Sequence, residues 1–242
     1  MRFQMADQRH GGTVVEPVVF IVNGDEPTRA WIERTVASAG LHAIGLSTAS
    51  GLAARLAPGA VACAILDVRL QDASCFELQD ELAREGAAIL FLTRERCISS
   101  CVRALKAGAV DFLTVPCGAD RLLNAVRYAL QEARSSLDRR VQIRELCSRY
   151  ELLSAREREV FELVTDGLLN KQIAQRLAIA EITVQIHRSR VMRKMSAASF
   201  ASLVRMADRL AAVKRSKGSY AFFTNSDFNC IAPMPSILQS MS

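Results

Sequence analysis

Between Pro116 and Pro233 the chain contains no proline, and between Gly118 and Gly218 it has a single glycine, Gly167. Proline removes a helix donor and clashes with the preceding turn, and glycine carries the largest entropy cost of ordering. A stretch this long that avoids both reads as all-helical. Within it, Ser154 is followed three residues later by Glu157, a capping box that opens a helix. Val160, Phe161, Leu163 and Val164 then form one apolar stripe, and Gly167 supplies a stop. From Leu168 to Met195 the pattern is two short helices joined by a tight turn. Ile173, Ala174 and Leu177 fall at helical period on one, and Val184, Val191 and Met195 on the other. Asn170 stands where an N-cap is expected. From Thr183 to Met195 the ionic residues are Arg188, Arg190, Arg193 and Lys194, with no acid among them. A helix with an apolar inner face and an all-basic outer face suits a phosphate-lined DNA groove. Charge alone, however, leaves an ordinary amphipathic surface helix ahead.

The first half has a different rhythm. Short apolar runs at Val18–Val22, Ala43–Leu46, Ala62–Leu66, Ala88–Leu92 and Phe112–Val115 are separated by helical segments. Pro27 suits the first position of the first helix and Gly40 its end, and Gly86 and Gly108 follow the third and fourth helices. Five such strand–helix units predict a parallel sheet covered by helices on both faces. Ligands of that architecture sit at the carboxyl ends of the strands. The residues there are Asn23-Gly24-Asp25, Asp67, Thr93 and Val115-Pro116.

Two resemblances follow from these residues. LSAREREV, the NK-x-IA block after Gly167 and TVQIHRSRVMRKM together resemble the LuxR-type helix-turn-helix over Leu153–Leu210 without a gap. VFIVNGDEPTR, ILDVRLQDAS, LFLT and KAGAVDFLTVP resemble the receiver domain of two-component response regulators. The chain is similar in both halves to the NarL/FixJ family of those regulators. The resemblance implies an α/β fold, a five-stranded parallel doubly wound (flavodoxin-like) receiver domain, followed by an all-α helix-turn-helix domain. Together with the patterning of the chain, it gives an expected layout of a receiver at 17–132, a helical linker at 133–150 and a DNA-binding unit at 151–213; the flexible extension at 1–16 and the disordered tail at 214–242 are read from their lack of period, and the resemblance does not cover the tail. It implies double-stranded DNA as partner, a homodimer on DNA, and a histidine kinase as phosphoryl donor in the conventional case. On the helix from about Glu181 to Met195, Gln185, Ile186 and Ser189 would face base edges. Arg188, Arg190, Arg193 and Lys194 would mainly face phosphates. Asn170, Lys171 and Thr183 belong to the same expected surface, and His187 either contacts phosphate or fixes the helix. Ala180 stands where the family usually places a Ser or Thr cap.

By the same likeness Asp67 is the phosphoacceptor position and Thr93 the switch hydroxyl. Three positions depart from the family pattern. The acidic pair that binds Mg²⁺ is here Asn23 and Gly24, and the lysine before the last proline is Val115. Asp25 and Glu26, a remnant of the acidic pocket, fall one and two places late, where strand alternation aims them elsewhere. A unit charge pair at ~4 Å is worth about 4 kcal/mol at an effective dielectric of ~20. Forfeiting half of that for one carboxylate weakens a divalent cation's hold ~30-fold. Asp67 therefore reads as a strand-end carboxylate that caps a loop, ahead of an active phosphoacceptor. The expected regulator has a degenerate receiver, no assigned metal site and no cofactor, Mg²⁺ being doubtful. The alternatives are a conventional regulator phosphorylated on Asp67 and a protein-binding regulator without DNA contact.

Composition bounds the remaining classes. The 242 residues suffice for about two domains. The net charge of +6, with much of the excess base in the second half, points to a polyanionic partner. Seven cysteines in no paired CxxC spacing read as buried thiols; Cys97 and Cys101, four residues apart, could in principle meet. No glycine-rich phosphate loop, nucleophile elbow or metal-ligand cluster appears, so an enzyme is not expected. The absence of an apolar leader or a membrane-length apolar run predicts a cytoplasmic protein with no membrane association. After Lys217 the pattern stops, in a stretch holding Tyr220, Phe222, Phe223 and Phe228.

Overall fold

A computed structural model describes residues 16–57, 59–69, 75–94 and 98–219. Most of the expected 1–16 extension, the tail from residue 220, His10, Cys97 and Cys230 lie outside the described residues. The chain forms two compact units, residues 1–138 and 139–242.

The first unit alternates strand and helix: β1 (Val18–Val22), α1 (Glu26–Ser38), β2 (His42–Leu46), α2 (Leu52–Arg55), β3 (Ala62–Asp67), α3 (Cys75–Glu85), β4 (Ala88–Thr93), α4 (Ile98–Lys106) and β5 (Asp111–Thr114). The strands pair in parallel, as the alternating pattern predicts, and their order in the sheet is β2-β1-β3-β4-β5. Their period of two sends side chains to opposite faces. Val19, Ile21, Cys63, Ile65, Leu90 and Leu92 pack on one face with Ile32 and Val36 of α1 and with Leu122 and Val126. Phe20, Val22, Ala64, Leu66, Ile89 and Phe91 pack on the other with Leu52, Leu78 and Leu82. Burial on both faces explains why these strands read as nearly continuous apolar runs. Burial also pushes the Cys63 thiol up to about 12. Cys63 and Cys147 are buried, and Cys101 and Cys117 half-buried. β5 begins and ends one residue before the apolar run Phe112–Val115, so Val115 lies just past the strand.

α5 (Ala119–Glu151) takes in both the last receiver helix and the helical linker as one continuous helix. Its apolar positions as far as Ala133 and Leu137 belong to the first core. Leu146, Cys147 and Tyr150 belong to the core of the second unit. No proline or glycine interrupts the helix along this length. Val141, between the two sets, is 44% exposed.

The second unit adds α6 (Ala155–Thr165), α7 (Asn170–Leu177), α8 (Glu181–Lys194) and α9 (Phe200–Ser219). α9 continues past the expected domain end at 213. Val160, Phe161 and Val164 of α6 meet Ile173 of α7, Val184, Val191 and Met195 around α8, and Leu203 and Leu210 of α9. Gly167, after α6, has φ 89°, the left-handed backbone that favours glycine. Among the described residues no helix is long and apolar enough to cross a membrane.

Candidate functional site

The helical unit is built on two caps. Ser154 and Glu157 form the expected capping box, with Ser154 N–H donating to Glu157 Oε2 at 2.8 Å and Glu157 N–H to Ser154 Oγ at 3.3 Å. At α7 the expectation fails: the cap position is Leu169, and Asn170 is already helical. Gln172 Oε1, from the third helical position, accepts the N–H of the cap residue Leu169 at 2.8 Å. The Asn170 side chain is engaged elsewhere: its Oδ1 accepts from Arg188 Nη1 on α8 at 2.5 Å. The Arg188 guanidinium also lies over the Phe200 ring, 5.7 Å from its centroid. Arg188 thus ties α8 to α7 and α9.

Lys194 also has partners within its own domain. Its ammonium donates to Glu157 Oε2 at 2.6 Å and to Leu152 O at 2.9 Å, so the domain itself holds it. His187 is half-buried, and its Nδ1 is shielded from solvent with no hydrogen-bond partner among the described residues. Thr183 is half-buried and Ala180, at the cap position of α8, makes no side-chain cap hydrogen bond.

Gln185, Ile186, Ser189, Arg190 and Arg193 remain exposed on one outward face of α8, with Lys171 exposed on α7. Val184, Val191 and Met195 hold the opposite side in the core. The result is a presented helix with hydrogen-bonding groups early and guanidinium groups later, suited to base edges and phosphates respectively.

In the first unit, Asp67 and Thr93 are the last residues of the neighbouring strands β3 and β4. Thr93 is buried and Asp67 half-buried. Asp67 Oδ1 accepts the Arg69 N–H at 2.9 Å, a cap on the loop after β3. Asn23, at the end of β1, is buried, and its Oδ1 accepts the Asp25 N–H at 2.7 Å. Its carbonyl accepts from Arg29 Nη1 at 2.6 Å.

Asp25 is the N-cap of α1, its Oδ2 accepting the Thr28 N–H at 3.1 Å and pairing with Arg94. Hydrogen bonds from the Thr28 side chain and backbone, then Arg94, hold the Asp25 carboxyl below its ordinary value. Glu26 is exposed in the first turn of α1, where an acid complements the helix dipole. The expected acidic remnant is therefore a helix start rather than a pair aimed at Asp67. Arg94 was not legible in the sequence, since nothing local marks a pairing across 69 residues. A cleft of about 850 Å³ opens beside this ion pair, with Trp31, Val115 and Pro116 among its walls. Among the described residues no three His, Cys, Asp or Glu side chains group as metal ligands.

Comparison with known proteins gives the same two parts. Residues 19–127 match the response regulator receiver domain, and residues 151–207 match the bacterial regulatory proteins of the luxR family. The chain is 39% identical over 203 residues to nodulation protein W of Bradyrhizobium diazoefficiens, covering 83% of this chain and 89% of that protein. It is 39% identical over 197 residues to response regulator protein TmoT of Ectopseudomonas mendocina, covering 81% and 90% respectively. The solved structure of response regulator StyR superposes with a TM-score of 0.68 at 35% identity, covering 81% of this chain and all of that one. The chain belongs to the NarL/FixJ family of response regulators, with a receiver domain joined to a LuxR-type helix-turn-helix.

Proposed function

We propose that this transcription regulator binds double-stranded DNA as a homodimer through the outward face of α8, and that its receiver works without ordinary phosphorylation of Asp67. The observation that carries the second part is the disposition of the acids. Asn23 stands buried at the end of β1 with its side-chain oxygen committed to Asp25 N–H, and the Asp25 carboxylate serves α1 and Arg94. Those donors do not fit a divalent cation beside Asp67, and no step on this reading runs through Mg²⁺. Val115 supplies no ammonium to steady a phosphoryl group in transfer. The receiver then acts as a dimerisation module or senses another input, and DNA binding needs no phosphoryl donor.

The test is to incubate the full chain with Mg²⁺ and acetyl phosphate and weigh it under mild conditions. The expected result is an unmodified mass and unchanged DNA affinity. A phosphorylated species that is absent from Asp67→Ala, together with tighter DNA binding, sinks the proposal. It would restore the conventional reading, with a histidine kinase as donor. One observation favours that second reading: Asp67 and Thr93 are both present at adjacent strand ends.

A further inference from the structure

The outer face of α8 is not uniformly polar. Ile182 and Ile186 stand one helical turn apart and are 63% and 47% exposed, among exposed Gln185, Ser189 and Arg190. They are no part of the core, which takes Val184 and Val191 from the other side of the same helix. Phosphates and most base edges present charged or hydrogen-bonding atoms, which lose water against an isoleucine without a replacement partner. The major groove offers one apolar group to such a side chain, the C5 methyl of thymine.

Resting on the reading of α8 as the groove-facing helix, we propose that Ile182 and Ile186 read thymine methyl groups and so help set the operator sequence. The chemistry beside them agrees. Gln185 can take adenine N6 and N7 together, and Arg190 and Arg193 provide the positive charge that holds α8 among phosphates. Four residues of helix rise ~6 Å, so the two thymines lie within about two base steps of each other. Cytosine at either position lacks the C5 methyl and carries an amino group beside it in place of the thymine carbonyl, so it is disfavoured.

The test starts from a duplex selected out of a random pool by the full chain. Each thymine is then replaced singly by deoxyuridine, which deletes the methyl and leaves pairing and charge unchanged. Affinity is expected to fall about fourfold at each contacted methyl. The loss should vanish at one position in Ile182→Ala and at another in Ile186→Ala. A selected duplex whose affinity no replacement moves would overturn the inference. So would a thymine dependence that survives intact in the folded Ile182→Ser/Ile186→Ser double variant. Selection of no sequence at all would overturn the assignment of α8 as the reader, which keeps the two failures distinct. Because the deoxyuridine series uses the unaltered protein, it decides the matter even if a variant misfolds.

Discussion

Lys194, at the end of α8, donates to a carboxylate oxygen of Glu157, in the first turn of α6, at 2.6 Å. The Glu157 side chain is 4% exposed and that of Lys194 32%. One acid therefore caps α6 and fastens the end of the presented helix, while Lys194 also reaches Leu152 O. The hydrogen bond from Lys194, more than any other cause, holds the Glu157 carboxyl below its ordinary value.

Lys194→Ala leaves a buried carboxylate with only its capping partner. We expect a loss of ~2–3 kcal/mol in denaturant unfolding of the second unit. The salt slope of DNA binding should stay at the native value, because this ammonium faces the protein. A reduced slope with unchanged stability would return Lys194 to the phosphate-facing set.

Glu157 also predicts a pH dependence. Its folded-state value lies below the unfolded one of about 4.5, so the folded state favours the ionised form. The contribution is complete above the unfolded value and is lost as pH falls through the folded one. Unfolding midpoints of the native chain should therefore drop below pH 4.5 more steeply than those of Glu157→Gln. Parallel profiles would contradict this.

Arg190 and Arg193 are the exposed cations of α8. Arg190→Ala and Arg193→Ala should each weaken binding to every duplex and lower the salt slope by ~0.9 for each phosphate no longer neutralised. Gln185→Ala should instead relax preference at one adenine by ~1–3 kcal/mol while leaving the slope intact. Titrations of DNA affinity against salt separate the two behaviours; wild-type values in all three variants would rule out α8 as the reader.

Ala180 occupies the cap position of α8 with φ −68° and ψ 147°, yet it has no side-chain oxygen to accept a first-turn N–H. Ala180→Ser should stabilise the second unit by ~1 kcal/mol. Thermal melting of the two proteins is the measurement, and an unchanged midpoint would mean that water already satisfies those donors.

The receiver pocket can be rebuilt if the three departures are what disable it. A Cβ on Gly24 would meet only Ser47 O, at 4.0 Å, and Val115 borders the open cleft. Asn23→Asp/Gly24→Asp/Val115→Lys should gain phosphorylation of Asp67 from acetyl phosphate in the presence of Mg²⁺. Mass spectrometry checks it, with Asp67→Ala in the triple background as control. No modification would place the defect elsewhere, for instance in the Asp25–Arg94 pair.

Much of the architecture was legible in the chain because its signals are local. Each strand needed only its run of apolar residues, and the Ser154–Glu157 box needed only four consecutive positions. The period of Val184, Val191 and Met195 showed which side of α8 turns inward, and hence that Gln185 and Arg190 turn outward. Asp67 and Thr93 were placed by the ends of their strands. The cap of α7 is less legible: Leu169 takes that position without a side-chain acceptor, and Asn170 falls one residue inside the helix.

Tertiary structure decided what each charge is for. Sequence made Lys194 and Arg188 members of one basic face, but a period names a face without naming what stands opposite it. Glu157 precedes Lys194 by 37 residues, and Asn170 precedes Arg188 by 18; only folding brings them within hydrogen-bond reach. Asp25 likewise became a cap paired with Arg94, although 69 residues separate them. Apolar burial depends on the pattern along each element and can be read from the chain. An ion pair depends on a few ångströms between side chains from distant segments, and that distance exists only once the cores have packed.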